Sequence, residues 1–402
     1  MNSKLIGGSL LVIGTAIGAG ILALPLATAE LGFLGSVVLL VSVWVVMTAS
    51  AFIFLEVNLR LPPNSNLISM AGATLGKSGQ VVVWIVYSIL LYSIISAYIA
   101  GGGDLFHYLL ATRGINISLA LSSLLFTLIF GSVVYFGIRA VDYVNRSLMF
   151  GKMGAYLLLV VLIVPFISVP NLSGGEFKYM FSPSSITVTA AAFTSAMIIP
   201  SLRTYFGDHD IKTLRKVIMI GMTVPLLCYI AWDAAIMGVI PMDGTPGLKQ
   251  MLHSQNSTSD IVAALSKLLQ KDVVTMFAKF FTSICMVTSF LSISLCLSDF
   301  LSDGLRVAKK GIGNGVIFGA TFLPPVLIVL FYPDAFIRGL QYAGVCCVVL
   351  MIFLPPLMAW RGRYYQEELA HIGYRVRGGK FLLALLVIFA TFMIGFGVEG
   401  AI

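Results

Sequence analysis

The sequence predicts an all-α integral membrane protein, and three observations lead to that prediction. The 402 residues are 58% hydrophobic and 10% charged, with a mean hydropathy of +0.99, whereas soluble domains carry about 25% charged residues. The apolar residues are gathered in long runs, and a run of about 20 residues suffices for a helix to cross a bilayer. The charged residues fall mostly between these runs. A lipid bilayer is therefore the first partner that we expect.

The apolar runs predict eleven membrane spans, separated by short loops. They cover residues 5–31, 33–58, 80–110, 118–137, 149–168, 185–206, 214–239, 273–302, 313–331, 335–360 and 380–400. If the N-terminus is cytoplasmic, 18 of the 25 lysines and arginines lie on the cytoplasmic side and 7 lie outside. Positive residues favour the cytoplasmic side, so we expect a protein of the cytoplasmic (inner) membrane with its C-terminus outside. The same bias explains the net charge of +8 without a nucleic-acid partner.

The first span contains a glycine-rich stretch, residues 14–20, which read Gly-Thr-Ala-Ile-Gly-Ala-Gly. Glycine is a poor helix former, and a frayed backbone in hydrocarbon leaves polar groups unsatisfied. One interpretation is a packing face, with Gly14 and Gly18 in Gly-x-x-x-Gly spacing. The other is a helix that unwinds at the midplane and offers its bare N–H and C=O groups to a solute.

The sixth span contains a second interruption signal, Pro200 after Thr194 and Ser195. Proline inside a helix removes a hydrogen bond and clashes with the preceding turn, so either a break or an ordinary kink is expected. Five spans per repeat would invert the second repeat in the membrane. We therefore expect one transmembrane domain over residues 1–402. It comprises repeat 1 (about 5–168), repeat 2 (about 185–360) and an extra helix (about 380–400).

Two connections are longer than turns. Residues 59–79 contain Pro62-Pro63 followed by a short apolar piece, which predicts a cytoplasmic interfacial helix. Residues 240–272 carry apolar residues at helical spacing after Ser257 and Asp260, in a capping-box pattern. This predicts a helix that is either a lid on the extracellular mouth or an inert surface helix.

Several motifs, in order along nearly the whole chain, resemble the hydroxy and aromatic amino acid permease family of the amino acid-polyamine-organocation superfamily. They are GTAIGAGILALPL at 14–26, Tyr92, AYI at 97–99, VD at 141–142, NR at 145–146, TSFL at 288–291, TFLPP at 321–325, YAGV at 342–345 and GYRV at 373–376. The resemblance implies a leucine-transporter-type fold, a 5+5 inverted repeat plus one helix with spans 1 and 6 broken at the midplane. It also implies proton-driven uptake of an aromatic amino acid, first of all tyrosine. Residues 193–198, FTSAMI, depart from the family's glycine- and histidine-containing pattern, which leaves tryptophan and phenylalanine open.

An amino acid zwitterion needs partners for both of its charges, because burying an unpaired charge is costly. The N–H groups around Gly18, Ala19 and Gly20 begin the outer half of the first span and suit the carboxylate. Carbonyls at helix C-terminal ends suit the ammonium. The predicted substrate-binding residues are Thr15, Ala16, Ile17, Gly18, Ala19, Gly20, Tyr92, Ser96, Phe193, Thr194, Ser195, Ala196, Phe290 and Ile293.

Charged residues inside spans are candidates for ion coupling, since each is costly there. Asp233 lies deep in the seventh span. In some proton-coupled relatives a lysine of the fifth span replaces a sodium ion, and Lys152 matches that position, although snorkelling would also explain it. The rival is a sodium site at Gly14, Ile17, Thr288 and Ser289, because oxygen ligands suit a hard cation. We expect H⁺ rather than Na⁺, no other cofactor and no obligate protein partner.

An enzyme and a channel are both disfavoured. The sequence contains no nucleophile motif, no phosphate-binding loop and no metal-ligand pair at helical spacing. Its five cysteines fall in apolar segments and are expected to be small core residues. Polar residues cluster at the predicted breaks instead of forming a stripe or a selectivity ring. A secondary transporter is the class that remains.

Overall fold

The computed structural model describes residues 3–18, 20–63, 65–207, 210–332, 334–366 and 374–399, and every regular element among them is helical. The helices of the first half are α1 (Ser3–Ala16), α2 (Gly20–Ala27), α3 (Gly32–Leu59), α4 (Leu67–Ala111), α5 (Leu119–Tyr135), α6 (Ile138–Ile163), α7 (Val169–Leu172), α8 (Pro183–Ala192) and α9 (Ile199–Phe206). Those of the second half are α10 (Ile211–Val239), α11 (Leu248–Leu252), α12 (Ser257–Leu269), α13 (Asp272–Leu305), α14 (Ile312–Phe331), α15 (Ala335–Val348), α16 (Leu354–Tyr364) and α17 (Gly379–Glu399). A π-helical turn, Val349–Phe353, joins α15 to α16, and short 3₁₀ turns lie between several other helices.

Apolar length identifies the chain as an integral membrane protein, as predicted. Within the described ranges, nine helical segments are long and apolar enough to cross a bilayer, and α1 with α2 forms a tenth as a bent pair. The 17 residues of α5 are apolar but shorter than that length. Each of the eleven predicted spans overlaps helix in the structure. Most of these helices extend beyond the predicted boundaries, which are therefore wrong by being too short.

The first span is broken at the predicted glycines. The α-helical segment α1 ends at Ala16, α2 begins at Gly20, and their axes differ by 51°. The Gly18 N–H donates to the Ala16 carbonyl, and the Ile21 N–H donates to the Gly18 carbonyl, 3.3 Å away. These short-range bonds replace the regular i to i−4 ladder, so backbone groups are turned out of the helix at the break.

The sixth span is interrupted but not divided into a strongly bent pair like the first span. The segment α8 ends at Ala192, a 3₁₀ turn covers Thr194–Ile198, and α9 begins at Ile199. Pro200 lies in the first turn of α9, where its missing N–H costs no hydrogen bond. The interruption therefore precedes the proline, and the segment Pro183–Phe206 remains a single span by length and direction.

The two interrupted spans lie side by side in the centre of the bundle. The second half of the first span, α2, packs on α8, while α1 packs on α10 and on the 3₁₀ turn of the sixth span. Around them, α10 packs on α3, α13 packs on α6, and α15 packs on both α4 and α8. Both interruptions are thereby surrounded by helices and not by lipid, which is where irregular backbone is tolerated at membrane depth.

The two long connections form helices as predicted, with different details. The interfacial piece begins at Leu67, where Asn66 accepts the Ser69 N–H at 2.9 Å, and it runs on into α4 through Gly76, whose φ of +81° marks a sharp kink. The predicted capping box of α12 is wrong, because the Ser257 hydroxyl donates to the Met251 and Ser254 carbonyls instead. A carboxylate from α4, that of Asp104, accepts the Ser259 N–H at 2.8 Å and takes over the capping.

Candidate functional site

A buried lysine from the fifth span holds the carbonyls of the first-span break. Lys152 of α6 is 1% exposed. Its Nζ donates to the Ile17 carbonyl at 2.8 Å and lies 3.5 Å from the Gly14 carbonyl. No ion pair of Lys152 occurs among the described residues. The ammonium group does not snorkel, and backbone oxygens at the end of α1 stabilise its charge.

A tyrosine hydroxyl joins the two interruptions. Tyr229 of α10 is fully buried, and its hydroxyl lies 2.7 Å from the Ala16 carbonyl and 2.8 Å from the Ala192 carbonyl. These two carbonyls belong to the last residues of α1 and α8, where helix carbonyls have no intrahelical partner. Tyr229 therefore places the negative ends of both helices at one point. The Ala16 carbonyl also accepts the Gly18 N–H and thus has two donors, whereas the Tyr229 hydroxyl fills only one of the two acceptor positions of the Ala192 carbonyl.

The glycines of the break leave little room for side chains. A Cβ on Gly18 would lie 2.6 Å from the Ser289 Oγ, and one on Gly14 would lie 2.3 Å from the Met149 Cε. A Cβ on Gly20 would approach the Ala192 Cα at 3.5 Å. Gly18 thus brings the first span against α13, and Gly20 brings it against the sixth span. These close approaches require glycine at 18 more strictly than at 20.

The four predicted substrate-binding residues of the sixth span lie at its interruption and have different contacts. Phe193 is fully buried and packs edge-on against the Tyr229 ring, with 5.3 Å between the ring centroids. The Thr194 hydroxyl donates to the Ala191 carbonyl, and the Ser195 hydroxyl contacts the Met222 sulfur at 3.4 Å. Ala196 is buried in the 3₁₀ turn. Of these four, Phe193 has the clearest contact with the first-span break, through Tyr229.

The aromatic candidates of the third and eighth spans lie in a different place. The Tyr92 hydroxyl donates to the Ala320 carbonyl of α14, and Ser96 donates to the Tyr92 carbonyl. Phe290 packs on Phe126 of α5 and on Phe322 of α14. The contacts of Tyr92 and Phe290 are therefore those of a packing core among α4, α5, α13 and α14. Ile293, one turn further along α13, is half-buried.

The predicted sodium ligands are only partly brought together. Lys152 Nζ lies at the two carbonyls, those of Gly14 and Ile17. The Thr288 hydroxyl donates within its own helix, to the Ile284 carbonyl at 2.8 Å. Ser289 faces the break, against Gly18 and within hydrogen-bonding reach of the Tyr98 hydroxyl.

Two candidates of the first span remain. Thr15 is exposed, and its hydroxyl donates back to the Val12 carbonyl at 2.7 Å. Ala19 lies outside the described residues. Tyr229 and Tyr98 are the contributors that the sequence analysis did not select. A signal for them exists, because a tyrosine in an apolar span must find a partner for its hydroxyl, but the sequence does not say which tyrosine faces the break.

Asp233 is the second buried charged residue of the membrane core. It is fully buried in α10, and its Oδ2 lies 2.5 Å from the Ser36 hydroxyl oxygen of α3. Ser36 is 3.1 Å from the Thr28 hydroxyl, which is 2.8 Å from the Leu24 carbonyl of α2. The Oδ1 of Asp233 has no hydrogen-bond partner in the described part of the chain.

A third buried charged group, Glu56, lies at the end of the bundle where α3, α9 and α16 finish, which we call the basic end. The Glu56 Oε1 accepts from Arg60 Nη2 and from Arg363 Nε, each at 2.7 Å. Its Oε2 accepts from Arg363 Nη2 at 2.5 Å and from the Val376 N–H at 2.7 Å. Arg203 donates to the Leu61 and Asn58 carbonyls just beside this cluster. Here Glu56, Arg60 and Arg363 are joined in ion pairs, and Arg203 is held by backbone carbonyls.

Two interrupted spans with converging backbone groups, inside a bundle of apolar helices, define a membrane transporter. The comparison with known proteins agrees, and the chain belongs to the tryptophan/tyrosine permease family, which it matches over residues 1–396. It is a permease and not an enzyme.

Three relatives illustrate the range of this family. The chain is 33% identical to a protein of Haemophilus influenzae named tyrosine-specific transport system 1, over 96% of this chain and 94% of that one. It is 30% identical to glutamine transporter 2 of Aliivibrio fischeri, over 98% and 99%. A tryptophan-specific transport protein of Haemophilus influenzae is 29% identical, over 96% and 94%.

Proposed function

We propose that this permease imports an aromatic amino acid, first of all tyrosine, by proton symport with alternating access across the cytoplasmic membrane. The observation that supports this proposal most directly is the contact of Lys152 Nζ with the Ile17 carbonyl at the first-span break. The proposal includes eleven spans in a 5+5 inverted repeat plus one helix, with a cytoplasmic N-terminus and an outside C-terminus. The basic end would then face the cytoplasm, in accord with the distribution of positive residues.

The two helix breaks suit a zwitterion. The N–H groups at the start of α2, from Gly20 onward, lie at the positive end of that helix and would take the substrate carboxylate. The carbonyls of Ala16 and Ala192 lie at two negative helix ends and share the Tyr229 hydroxyl. The second acceptor position of the Ala192 carbonyl, with carbonyls of the 3₁₀ turn, would take the ammonium. An aromatic ring would lie against Phe193, whose ring already pairs with Tyr229.

The choice of H⁺ over Na⁺ follows from the position of Lys152. An ammonium group 2.8 Å from the Ile17 carbonyl occupies a position in which a sodium ion would use the same oxygen. A lysine that releases and rebinds a proton supplies coupling without a metal. One elementary charge that crosses a potential of 100 mV supplies about 2.3 kcal/mol, or roughly fifty-fold accumulation of a neutral zwitterion.

Uptake into proteoliposomes with separately imposed gradients tests this proposal. We expect a pH gradient to drive tyrosine accumulation in the wild type, while Lys152→Met exchanges labelled tyrosine but no longer concentrates it. The methionine keeps the length and removes the charge. Stimulation by a sodium gradient at constant pH, lost in Thr288→Ala, would instead assign coupling to Thr288 and Ser289.

Substrate choice requires its own test, because one relative at 30% identity is named a glutamine transporter. Excess phenylalanine, tryptophan, glutamine, leucine and alanine should be compared as competitors of labelled tyrosine. We expect the aromatic amino acids to compete and alanine not to. Stronger competition by glutamine than by phenylalanine would replace the aromatic assignment with an amide one.

A further inference from the structure

Three hydroxyl and carboxyl groups form a continuous chain from the seventh span to the outer half of the first. Asp233 Oδ2 lies 2.5 Å from Ser36 Oγ, Ser36 Oγ lies 3.1 Å from Thr28 Oγ1, and Thr28 Oγ1 lies 2.8 Å from the Leu24 carbonyl. Asp233, Ser36 and Thr28 are all 0% exposed. This arrangement joins α10, α3 and α2.

The hydroxyl contacts by themselves do not balance a charge on Asp233. The Ser36 hydroxyl reaches Asp233 Oδ2, while the Thr28 hydroxyl donates to the Leu24 carbonyl and lies within reach of Ser36. One hydroxyl group is then the only hydrogen-bond partner of a fully buried carboxyl group in the described part of the chain, because Oδ1 has no partner there. A protonated Asp233 has no charge to be compensated and keeps its contact with Ser36.

The surroundings of Asp233 favour the same state. No lysine, arginine or histidine pairs with it in the described part of the chain, and its Oδ1 accepts no hydrogen bond there. The titratable side chain that faces it is Tyr156 of α6, whose hydroxyl donates to the Cys228 carbonyl. From α3 it meets the Ser36 hydroxyl, which in turn lies 3.1 Å from the Thr28 hydroxyl just after α2. A carboxylate buried without partners is costly, and such a group becomes neutral instead.

We infer that Asp233 is a proton-binding site and that its protonation preserves the contacts through Ser36 and Thr28 that fasten the outer half of the first span to α3 and α10. Release of the proton to water leaves a buried carboxylate that must take up water or another donor, so these contacts rearrange and α2 is loosened. The inference rests on the proposed proton symport and extends it. Lys152 acts on the inner half of the first span, and Asp233 acts on the outer half.

Infrared spectroscopy of the purified protein in lipid tests the proton directly. Protonated carboxyl groups have a C=O stretching band separate from that of carboxylates. We expect wild type at neutral pH to show such a band that is lost in Asp233→Asn, whose amide still donates to Ser36. The matched control is Asp104→Asn, also a buried aspartate inside a span but hydrogen-bonded by Ser259, in which the Asp233 band should persist.

A second variant provides a test that does not depend on correct folding of the Asp233→Asn variant. In Ser36→Ala the acid loses its acceptor, so the carboxyl band should shift in frequency and remain present. A carboxyl band of the same intensity in wild type and Asp233→Asn, or no such band in wild type, would overturn the inference.

Transport assays separate this inference from the proposed function. In wild type, tyrosine affinity should fall as pH rises, and in Asp233→Asn it should be independent of pH while exchange continues. If wild type is not driven by a pH gradient, proton symport fails, while the infrared result still decides the protonation of Asp233. If wild type and Asp233→Asn are driven equally and share one pH dependence, the inference fails and the proposed function stands.

Discussion

The basic end and the centre of the bundle both bury charged side chains, but they compensate them differently. Glu56 at the basic end accepts four hydrogen bonds, three of them from Arg60 and Arg363. Lys152 at the centre donates to the Ile17 carbonyl and has no acidic partner among the described residues. Asp233 has one hydroxyl neighbour and one unpartnered oxygen in the same part of the chain.

This difference separates a structural role from the coupling role that we propose. A buried ion pair is costly to break, because the partner left behind is an uncompensated buried charge. The Glu56 cluster therefore fastens helix ends, whereas Lys152 and Asp233, which are held by backbone carbonyls and a hydroxyl group, are the groups that we propose to exchange protons.

The largest effect on stability is expected from Glu56→Ala. It leaves Arg60 and Arg363 buried without their anion, and breaking a buried pair costs about 3–5 kcal/mol. Thermal unfolding in detergent should show a large loss of stability and a reduced yield of folded protein. Glu176→Ala, which breaks an exposed pair with Lys178, is the control and should leave unfolding unchanged. Equal stability of the two variants would contradict the structural role of the cluster.

The next effect concerns binding at the break. Gly18→Leu places a side chain where even a Cβ would lie 2.6 Å from Ser289 Oγ, so we expect loss of tyrosine binding with membrane insertion retained. Gly154→Leu is the matched control, since a Cβ on that helical glycine of α6 would meet only open space within 4 Å. A scintillation proximity assay measures both. Unchanged affinity in Gly18→Leu would remove the break from the binding site.

A smaller effect is expected from Tyr229→Phe. The ring and its packing on Phe193 remain, but the Ala192 carbonyl loses the hydroxyl donor, and the Ala16 carbonyl keeps only the Gly18 N–H. An unsatisfied buried polar group costs about 1–3 kcal/mol, so thermal stability should fall moderately, and tyrosine affinity should change as well. Tyr156→Phe, which removes a single hydroxyl bond to the Cys228 carbonyl, is the control. An affinity change of the same size in both variants would mean that joining the two breaks has no special role.

The smallest effect is expected from Arg146→Gln. Its ion pair with Asp142 has side chains that are 80% and 50% exposed, and such pairs contribute about 0–1 kcal/mol. Thermal unfolding and tyrosine uptake should both stay near the wild-type values. A loss comparable to that of Glu56→Ala would show that burial does not explain the contrast between the two clusters.

Several residues of the central site can be predicted from the sequence, because the chemistry of a single segment marks them. Three glycines in the first span mark its break because glycine weakens a helix wherever it stands. Lys152 is marked because a charge in an apolar span needs a partner. The aromatic candidates Tyr92 and Phe290 are harder to judge, because a ring in a span looks the same whether it faces a substrate or a packing core. In the structure their contacts are with α5 and α14.

The sequence by itself determined the membrane-protein class and the positions of the helices, and it marked the glycines of the first span as either a break or a packing face, since apolar length and glycine content act within one segment. Only the tertiary structure decided which groups meet across segments. Tyr229 reaches two helix ends, Asp104 caps α12, and Asp233 lies against Ser36 at a separation of 197 residues. Such contacts depend on helix rotation and packing, which hydropathy does not encode.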